Sequence, residues 1–311
     1  MPRPVTGMPL HKTLKNNCVF SSFANVLVEK WKESPVKYAF NPQRAGDIRH
    51  LASIFEGRQV VESDKSNWDY NYFPYLFEIS SKVTQNLAVR PDGMTEEEFE
   101  AFKRDVQSCY DEVVEHAVYR CTNGNLFKPE TPGCMKSGWF MTIAANSIGQ
   151  LALHVLTMLR MGHSAEQILS RDYAIVVGGD DVLQTFPKTF STEDYRQKLS
   201  ELGFVVSDFK IHKQFNGCEF FSNEFKLEDG VWQYHPTRFT KHVAHLRVTK
   251  MADMGAALSC HMLNHVWNAK RFKFFEEMFQ ALRKKNPDLF PLTFLKSRQR
   301  LQYKVLGLES A

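Results

Sequence analysis

Two adjacent carboxylates, Asp180 and Asp181, follow two glycines and stand between the apolar residues 174–177 and 182–183. This is the pattern of a β-hairpin with acidic groups at its tip. Neighbouring carboxylates repel each other and resist desolvation, so a turn with only a structural task would be better served by Asn-Gly or Asp-Gly. A bound cation removes that conflict. Oxygen donors with no Cys or His beside them suit Mg²⁺ or Mn²⁺, which take water and phosphate oxygens as further ligands. The four letters Gly-Gly-Asp-Asp also fit an ordinary acidic turn.

A second acidic pair lies upstream. The short apolar run Val60-Val61 leads into Asp64, and Asp69 follows five residues later, before the aromatic-rich residues 70–79. A strand carrying Asp64 could lie beside the hairpin and present its carboxylate to the same space as Asp180. Phosphoryl transfer by two cations calls for carboxylates from different strands in this way. Between the acidic elements stands a third segment, Pro132-Gly133-Cys134-Met135-Lys136-Ser137-Gly138, followed by an apolar run to Met161. Ser137, Thr142 and Asn146 fall at or near the start of the helix this run predicts, with Thr142 and Asn146 on one face. Back-bonded or capping side chains would explain them blandly; their place between two acidic elements favours a role facing substrate.

The order Asp64-x4-Asp69, then Ser137-Gly138-x3-Thr142-x3-Asn146, then Gly178-Gly179-Asp180-Asp181 resembles palm motifs A, B and C of viral RNA-dependent RNA polymerases. The phrase ending in Met135-Lys136-Ser137-Gly138, with the later Glu219-Phe220-Phe221-Ser222, is most similar to the sobemovirus-like (solemovirus) group of positive-strand RNA viruses. The resemblance implies that Asp64 and Asp180 are the principal ligands of Mg²⁺ or Mn²⁺, with Asp181 in support. It implies that Asp69 and Asn146 sense the ribose, whose 2′-OH both donates and accepts a hydrogen bond. Ser137 and Gly138 would belong to a loop touching template and incoming nucleotide, with Thr142 supporting the sensor. Residues 202–210 resemble motif D, which makes Lys210 the candidate general acid that protonates pyrophosphate, with Lys213 as its fallback. Glu219-Phe220-Phe221-Ser222 resembles motif E, a hairpin that would grip the primer end. The implied activity is template-directed RNA synthesis, with RNA template, nascent RNA, nucleoside triphosphates and other viral replication proteins as partners.

The amino end departs from the family pattern. Only 63 residues precede Asp64, where the family carries a large fingers region and a basic motif F that grips the triphosphate. Arg3, Lys12, Lys15, Arg44 and Arg49 are dispersed and form no such motif. The chain therefore reads as a fragment, as the product of a frameshifted polyprotein, or as a short polymerase. Two other classes share part of this pattern. A reverse transcriptase also uses paired palm aspartates, but its nucleotide gate is bulky, unlike Asp69 with Asn146. An inactive remnant that only binds RNA is favoured by the short fingers and opposed by the intact Asp64, Asp180 and Asp181.

Composition agrees with a globular enzyme: 311 residues, 43% hydrophobic, 24% charged, net charge +4. Residues 268–304 concentrate basic side chains, which suits either a nucleic-acid backbone or a solvated helix face. Six unpaired-looking cysteines and an amino terminus without a signal-peptide pattern point to the reducing host cytoplasm, with replication membranes reached through partners. Residues 143–161 are the most apolar, but Asn146, Gln150, His154 and Arg160 interrupt them, so a buried helix is expected and no transmembrane segment. His242, His245, His261 and His265 with Cys260 lack a zinc-binding spacing and are expected to line helices.

The fold class these placements imply is α+β: a right-hand polymerase palm, an antiparallel sheet with flanking helices, with partial fingers and a helical thumb. The boundaries expected are partial fingers at 1–58, palm at 59–235 with a fingers insertion at about 86–131, and thumb at 236–311. Helices are expected at 20–31, 46–55, from beyond Asp69 to Gln85, from Thr95 to Tyr119, and from Ser191 or Thr192 to Leu202. Asn123-Gly124 and Asp229-Gly230 are expected hairpin turns.

Overall fold

In the computed structural model, residues 7–121, 123–130 and 132–308 are described; Arg3 lies outside them. Helices α1 (Leu10–Glu29) and α2 (Ala45–Ile54) precede strand β1 (Val60–Lys65), and α3 (Pro74–Leu87) and α4 (Glu96–Val114) follow it. A small hairpin, β2 (Tyr119–Arg120) and β3 (Leu126–Phe127), leads to α5 (Thr142–Arg160) and α6 (Ala165–Ile168). The hairpin β4 (Ile175–Gly178) and β5 (Asp181–Gln184) comes next, then α7 (Thr192–Glu201) and β6 (Val206–His212). Strands β7 (Glu219–Phe220), β8 (Asn223–Glu228) and β9 (Val231–Pro236) precede helices α8 (Phe239–Leu246), α9 (Met251–Asn264), α10 (Ala269–Lys285) and α11 (Arg298–Leu306).

Packing divides the chain into two units, residues 1–39 with 61–211, and residues 40–60 with 212–311. Residues 212–235 group with the helices that follow them.

The first unit is built on a four-stranded sheet of order β4-β5-β1-β6, with β4 and β1 both antiparallel to β5. Residues 35–37 cover the outer edge of β4: the Lys37 amide donates to Val177 at 2.8 Å and the Val177 amide to Pro35 at 3.0 Å. An edge closed in this way offers no template for further strands. The Lys37 ammonium is buried and donates to the carbonyls of Trp31, Lys32 and Ser34, which closes the turn after α1.

Local signals account for most helix limits. Thr95 and Glu98 form the expected capping box at the start of α4, and Ser191 caps α7 by accepting from the Asp194 amide. Helix α4 stops at Val114, short of the expected Tyr119, because Tyr119 is taken into pairing with Phe127. Helix α1 begins ten residues before the expected start at Phe20. Its first turns carry exposed Leu10 and Leu14 and give no amphipathic signal; buried Asn16 holds them by accepting from Trp139 Nε1 at 2.7 Å.

Helix α5 runs through the centre of this unit, against α3, α7 and β4. It is the one described helix long and apolar enough to cross a membrane, yet 61% of its apolar window is buried within the protein. Its packing against Tyr72, just before α3, depends on Gly149. Tyr72, fully buried, donates its hydroxyl hydrogen to Ala145 at 2.6 Å, and a Cβ at position 149 would lie 2.5 Å from the Tyr72 ring. No side chain fits there without displacing the ring.

The second unit holds a three-stranded antiparallel sheet, β7-β8-β9, with α2 against β9. Asp229-Gly230 makes the expected two-residue turn with positive φ at both positions. The turn between β7 and β8 repeats that conformation with Phe221 and Ser222, at φ 51° and 57°. Side chains are strained there; Phe221 is held by stacking on Phe40.

The basic stretch at 268–304 is not a uniform cationic face. Arg271 donates to Pro236 and lies over Phe239, Arg298 donates to Val266 and Trp267, and Lys273 pairs with Glu277. The histidines line helices as expected: His242 and His265 share a hydrogen bond at 3.0 Å, and His261 and His265 both stack on Phe275. Burial holds His261 down to about 4 and His265 to about 3.

Gly149→Ala is expected to destabilise the protein by about 1–3 kcal/mol through overpacking against Tyr72. Urea unfolding measures this, and an unchanged midpoint would contradict the packing described.

Candidate active site

Register brings the acidic residues together. Strands β1 and β5 pair with Val61 opposite Gln184 and Glu62 opposite Leu183. Continued two residues beyond these pairs, the same register would align Asp64 with Asp181, and Asp180 is next to Asp181 in the turn. Strands β4 and β5 close through Gly178 opposite Asp181, which leaves Gly179 and Asp180 as a two-residue loop. Gly179 has φ +67°, whereas Asp180 has no positive φ. That is the φ pattern of a II′ turn, which asks for glycine at the first position. Asp180 and Asp181 are half-buried and Asp64 is exposed.

The donor set is all oxygen, open to water and carried by adjacent strand ends, which fits Mg²⁺ or Mn²⁺. Among the described residues, no set including all three carboxylates has its ligand atoms within 4.8 Å of one another. The fold thus brings them together as backbone neighbours, leaving the side chains to turn toward a shared ion.

Beside this tip, the chain after β1 meets the start of α5. Asn146 is buried at 5% exposure, and its side-chain oxygen accepts from Trp68 Nε1 at 3.0 Å. Asp69, next to Trp68, accepts from the Met135 amide at 2.7 Å, and Tyr72 accepts from the Cys134 amide. These bonds lay residues 132–141 along residues 69–72. Within that loop the buried Lys136 ammonium donates to Gly133 at 2.6 Å and Cys134 at 2.8 Å. The Thr142 hydroxyl is within reach of the carbonyls of Lys136 at 2.8 Å and Trp139 at 2.7 Å. The Thr142 hydroxyl thereby anchors the loop. Ser137 is half-buried and Gly138 exposed, with φ +112°.

Lys210 lies on strand β6. Strand β6 runs antiparallel to β1: the Ser66 amide donates to Val205 at 2.8 Å, and the Ser207 hydroxyl lies 3.3 Å from Asp64 Oδ2. Lys210 is three residues farther along, roughly 10 Å at ~3.3 Å per residue. Its ammonium lies 3.0 Å from Asp208 and 3.9 Å from Glu62. The sequence pattern could not reveal this, because motif-like spacing does not fix how far along the strand pairing carries a residue.

Under the sheet lies a polar layer that sequence reasoning passed over. Lys65 is buried, donates to Ser63 at 3.3 Å, and is held down to about 8 by desolvation in spite of Asp64. His154 shares a hydrogen bond with the Tyr195 hydroxyl at 3.0 Å, and Tyr195 lies 3.5 Å from Gln184 Oε1. Burial, then the charges of Lys65 and His163, push His154 down to about 3. A signal was available: Ser147, Gln150 and His154 recur at helical spacing in an otherwise apolar run.

The family described as viral RNA-dependent RNA polymerase matches residues 2–240. The chain belongs to that family. Solved structures agree on the fold of this polymerase relative. The RNA-dependent RNA polymerase of a human picorbirnavirus superposes with TM-score 0.66 at 15% identity, covering 98% of this chain and 57% of that one. An insertion-loop deletion mutant of the same enzyme gives TM-score 0.60 at 14% identity, covering 93% and 54%. The chain thus spans a little over half the length of the polymerases it matches. No curated protein matches the sequence.

Stability is expected to fall as pH drops from 7 to 5. In that window the unfolded chain binds protons at histidines with ordinary affinity, while folded His154, His261 and His265, all depressed by burial, stay neutral. Stability therefore rises with pH through the window and is complete above the unfolded histidine value. Thermal melting at the two pH values checks this; His154→Gln should flatten the slope, and equal melting temperatures would contradict it.

Proposed function

We propose that this chain is the palm-bearing part of a polymerase that joins ribonucleotides on an RNA template during replication of a viral genome. The observation that supports the reading is the pairing of β1, which carries Asp64, with β5, which begins at Asp181, within a chain of the viral polymerase family. Asp64, Asp180 and Asp181 would hold Mg²⁺ or Mn²⁺. Such ions, when bound, activate the attacking 3′-OH and stabilise charge on the phosphate and departing pyrophosphate.

The remaining roles belong to side chains around the tip. Asn146, fixed by Trp68 beside Asp69, would offer the ribose a rigid amide, and Asp69 an acceptor for the 2′-OH. Ser137 and Gly138 would meet template and nucleotide from a loop anchored by Lys136 and Thr142. Lys210 is a weaker candidate for the proton donor, since its ammonium is engaged by Asp208 and Glu62. The similarity of residues 132–138 and 219–222 to sobemovirus-like polymerases supports that grouping. Six cysteines with no disulfide among the described residues are in keeping with the host cytoplasm as the compartment.

Primed extension on an RNA template tests the reading. Asp64→Asn and Asp180→Asn should each lower ribonucleotide incorporation by about a hundredfold or more while far-UV circular dichroism is unchanged. Near-normal extension by either variant would contradict it.

Asn146→Ala should narrow the preference for ribo- over deoxynucleotides by about tenfold, the scale of losing one or two hydrogen bonds to a buried site. Competition between the two nucleotide types measures the ratio, and an unchanged ratio would remove Asn146 from the sensor.

A further inference from the structure

A two-residue hairpin turn leaves backbone groups of its central residues outside the strand ladder. In the β4–β5 turn these belong to Gly179 and Asp180, and two of them meet side chains of α5. The Gly179 amide donates to Ser147 Oγ at 2.9 Å, and Gln150 Nε2 donates to the Asp180 carbonyl at 3.2 Å. Ser147 and Gln150 are three residues apart, on one face of the helix. Both are buried, at 0% and 1% exposure.

Each side chain is itself directed. The Ser147 hydroxyl gives its hydrogen to the Ile143 carbonyl at 2.8 Å, so a lone pair is left facing the turn. Gln150 has its Nε2 on Asp180, while its Oε1 has no hydrogen-bond partner among the described residues. An orphaned buried oxygen is costly, and an apolar side chain of the same length would avoid that cost. A polar residue kept at this position is explained by the bond its amide nitrogen makes.

We infer that Ser147 and Gln150 are positioning residues that clamp the Gly179-Asp180 turn from α5 and so fix the direction in which Asp180 presents its carboxylate. The inference rests on the reading of Asp180 as a cation ligand. The bonds grip the peptide before Gly179 and the peptide after Asp180, so the residue bearing the carboxylate is held from both sides. The same helix carries Asn146, whose amide is fixed by Trp68. One rigid element thereby sets both the acidic turn and the proposed ribose sensor in a common frame, which preorganisation of a site requires.

The test uses the 311-residue chain with Ser147→Ala, Gln150→Met and the conservative Ser147→Thr. Hydrogen exchange of the Gly179 amide and Mn²⁺ binding followed by electron paramagnetic resonance are read beside primed extension. Ser147→Ala should speed exchange at Gly179 by about tenfold, the scale of one lost hydrogen bond. Ser147→Ala and Gln150→Met should both weaken Mn²⁺ binding and raise the Mg²⁺ needed for half-maximal extension by roughly threefold to tenfold. Ser147→Thr, which keeps the acceptor, should restore both. A structural role alone would lower melting temperature without moving the metal dependence. Unchanged exchange at Gly179 in Ser147→Ala, or unchanged Mn²⁺ binding in both truncations, would overturn the clamp. If the unsubstituted chain binds Mn²⁺ and protects Gly179 yet extends no primer, the polymerase reading fails and the clamp stands.

Discussion

Strand pairing that holds the strand bearing Asp64 beside the Asp180-Asp181 hairpin is the constraint on which the proposed cation site depends. Three like charges at the ends of neighbouring strands would separate if their backbones could move. The fold resists this with pairing on both sides of the tip: β4 with β5, β5 with β1, and β6 beyond β1. The turn itself is held in a glycine-dependent conformation at Gly179 and is touched by α5. What the protein builds is a fixed backbone bearing carboxylates that a cation can reconcile.

The layer behind the sheet shows what that arrangement costs. Lys65, next to Asp64 in sequence, is turned to the opposite face by strand alternation and buried there, where its ammonium is destabilised. His154 beneath is driven far toward its neutral form by the same burial. These groups would be simpler to replace with apolar side chains if packing were the only demand. Of the two, only Lys65 carries charge near neutral pH, opposite in sign to the Asp64 carboxylate beside it in sequence.

Much of this could be read from residue types before any coordinates. The hairpin at 178–181, the strand carrying Asp64, the capping box at Thr95 and the Asp229-Gly230 turn each follow from local chemistry, and local chemistry survived folding. What could not be read depended on distant partners. The ion pairs of Lys210 with Asp208 and Glu62 depend on the pairing of β6 beside β1. The Thr142 hydroxyl meets carbonyls that only the folded loop supplies. Ser147 and Gln150 stand at helical spacing in an apolar run, but their partners are backbone atoms of the turn, which the spacing alone does not identify.

Direct measurement of cation binding bears most closely on the account. Mn²⁺ titration followed by electron paramagnetic resonance should find ions bound by the unsubstituted chain, and binding weakened by at least about tenfold in both Asp64→Asn and Asp180→Asn, since each removes a charged ligand from a shared site. Equal Mn²⁺ affinity in the unsubstituted chain and either variant would mean that the two strands do not hold cations jointly.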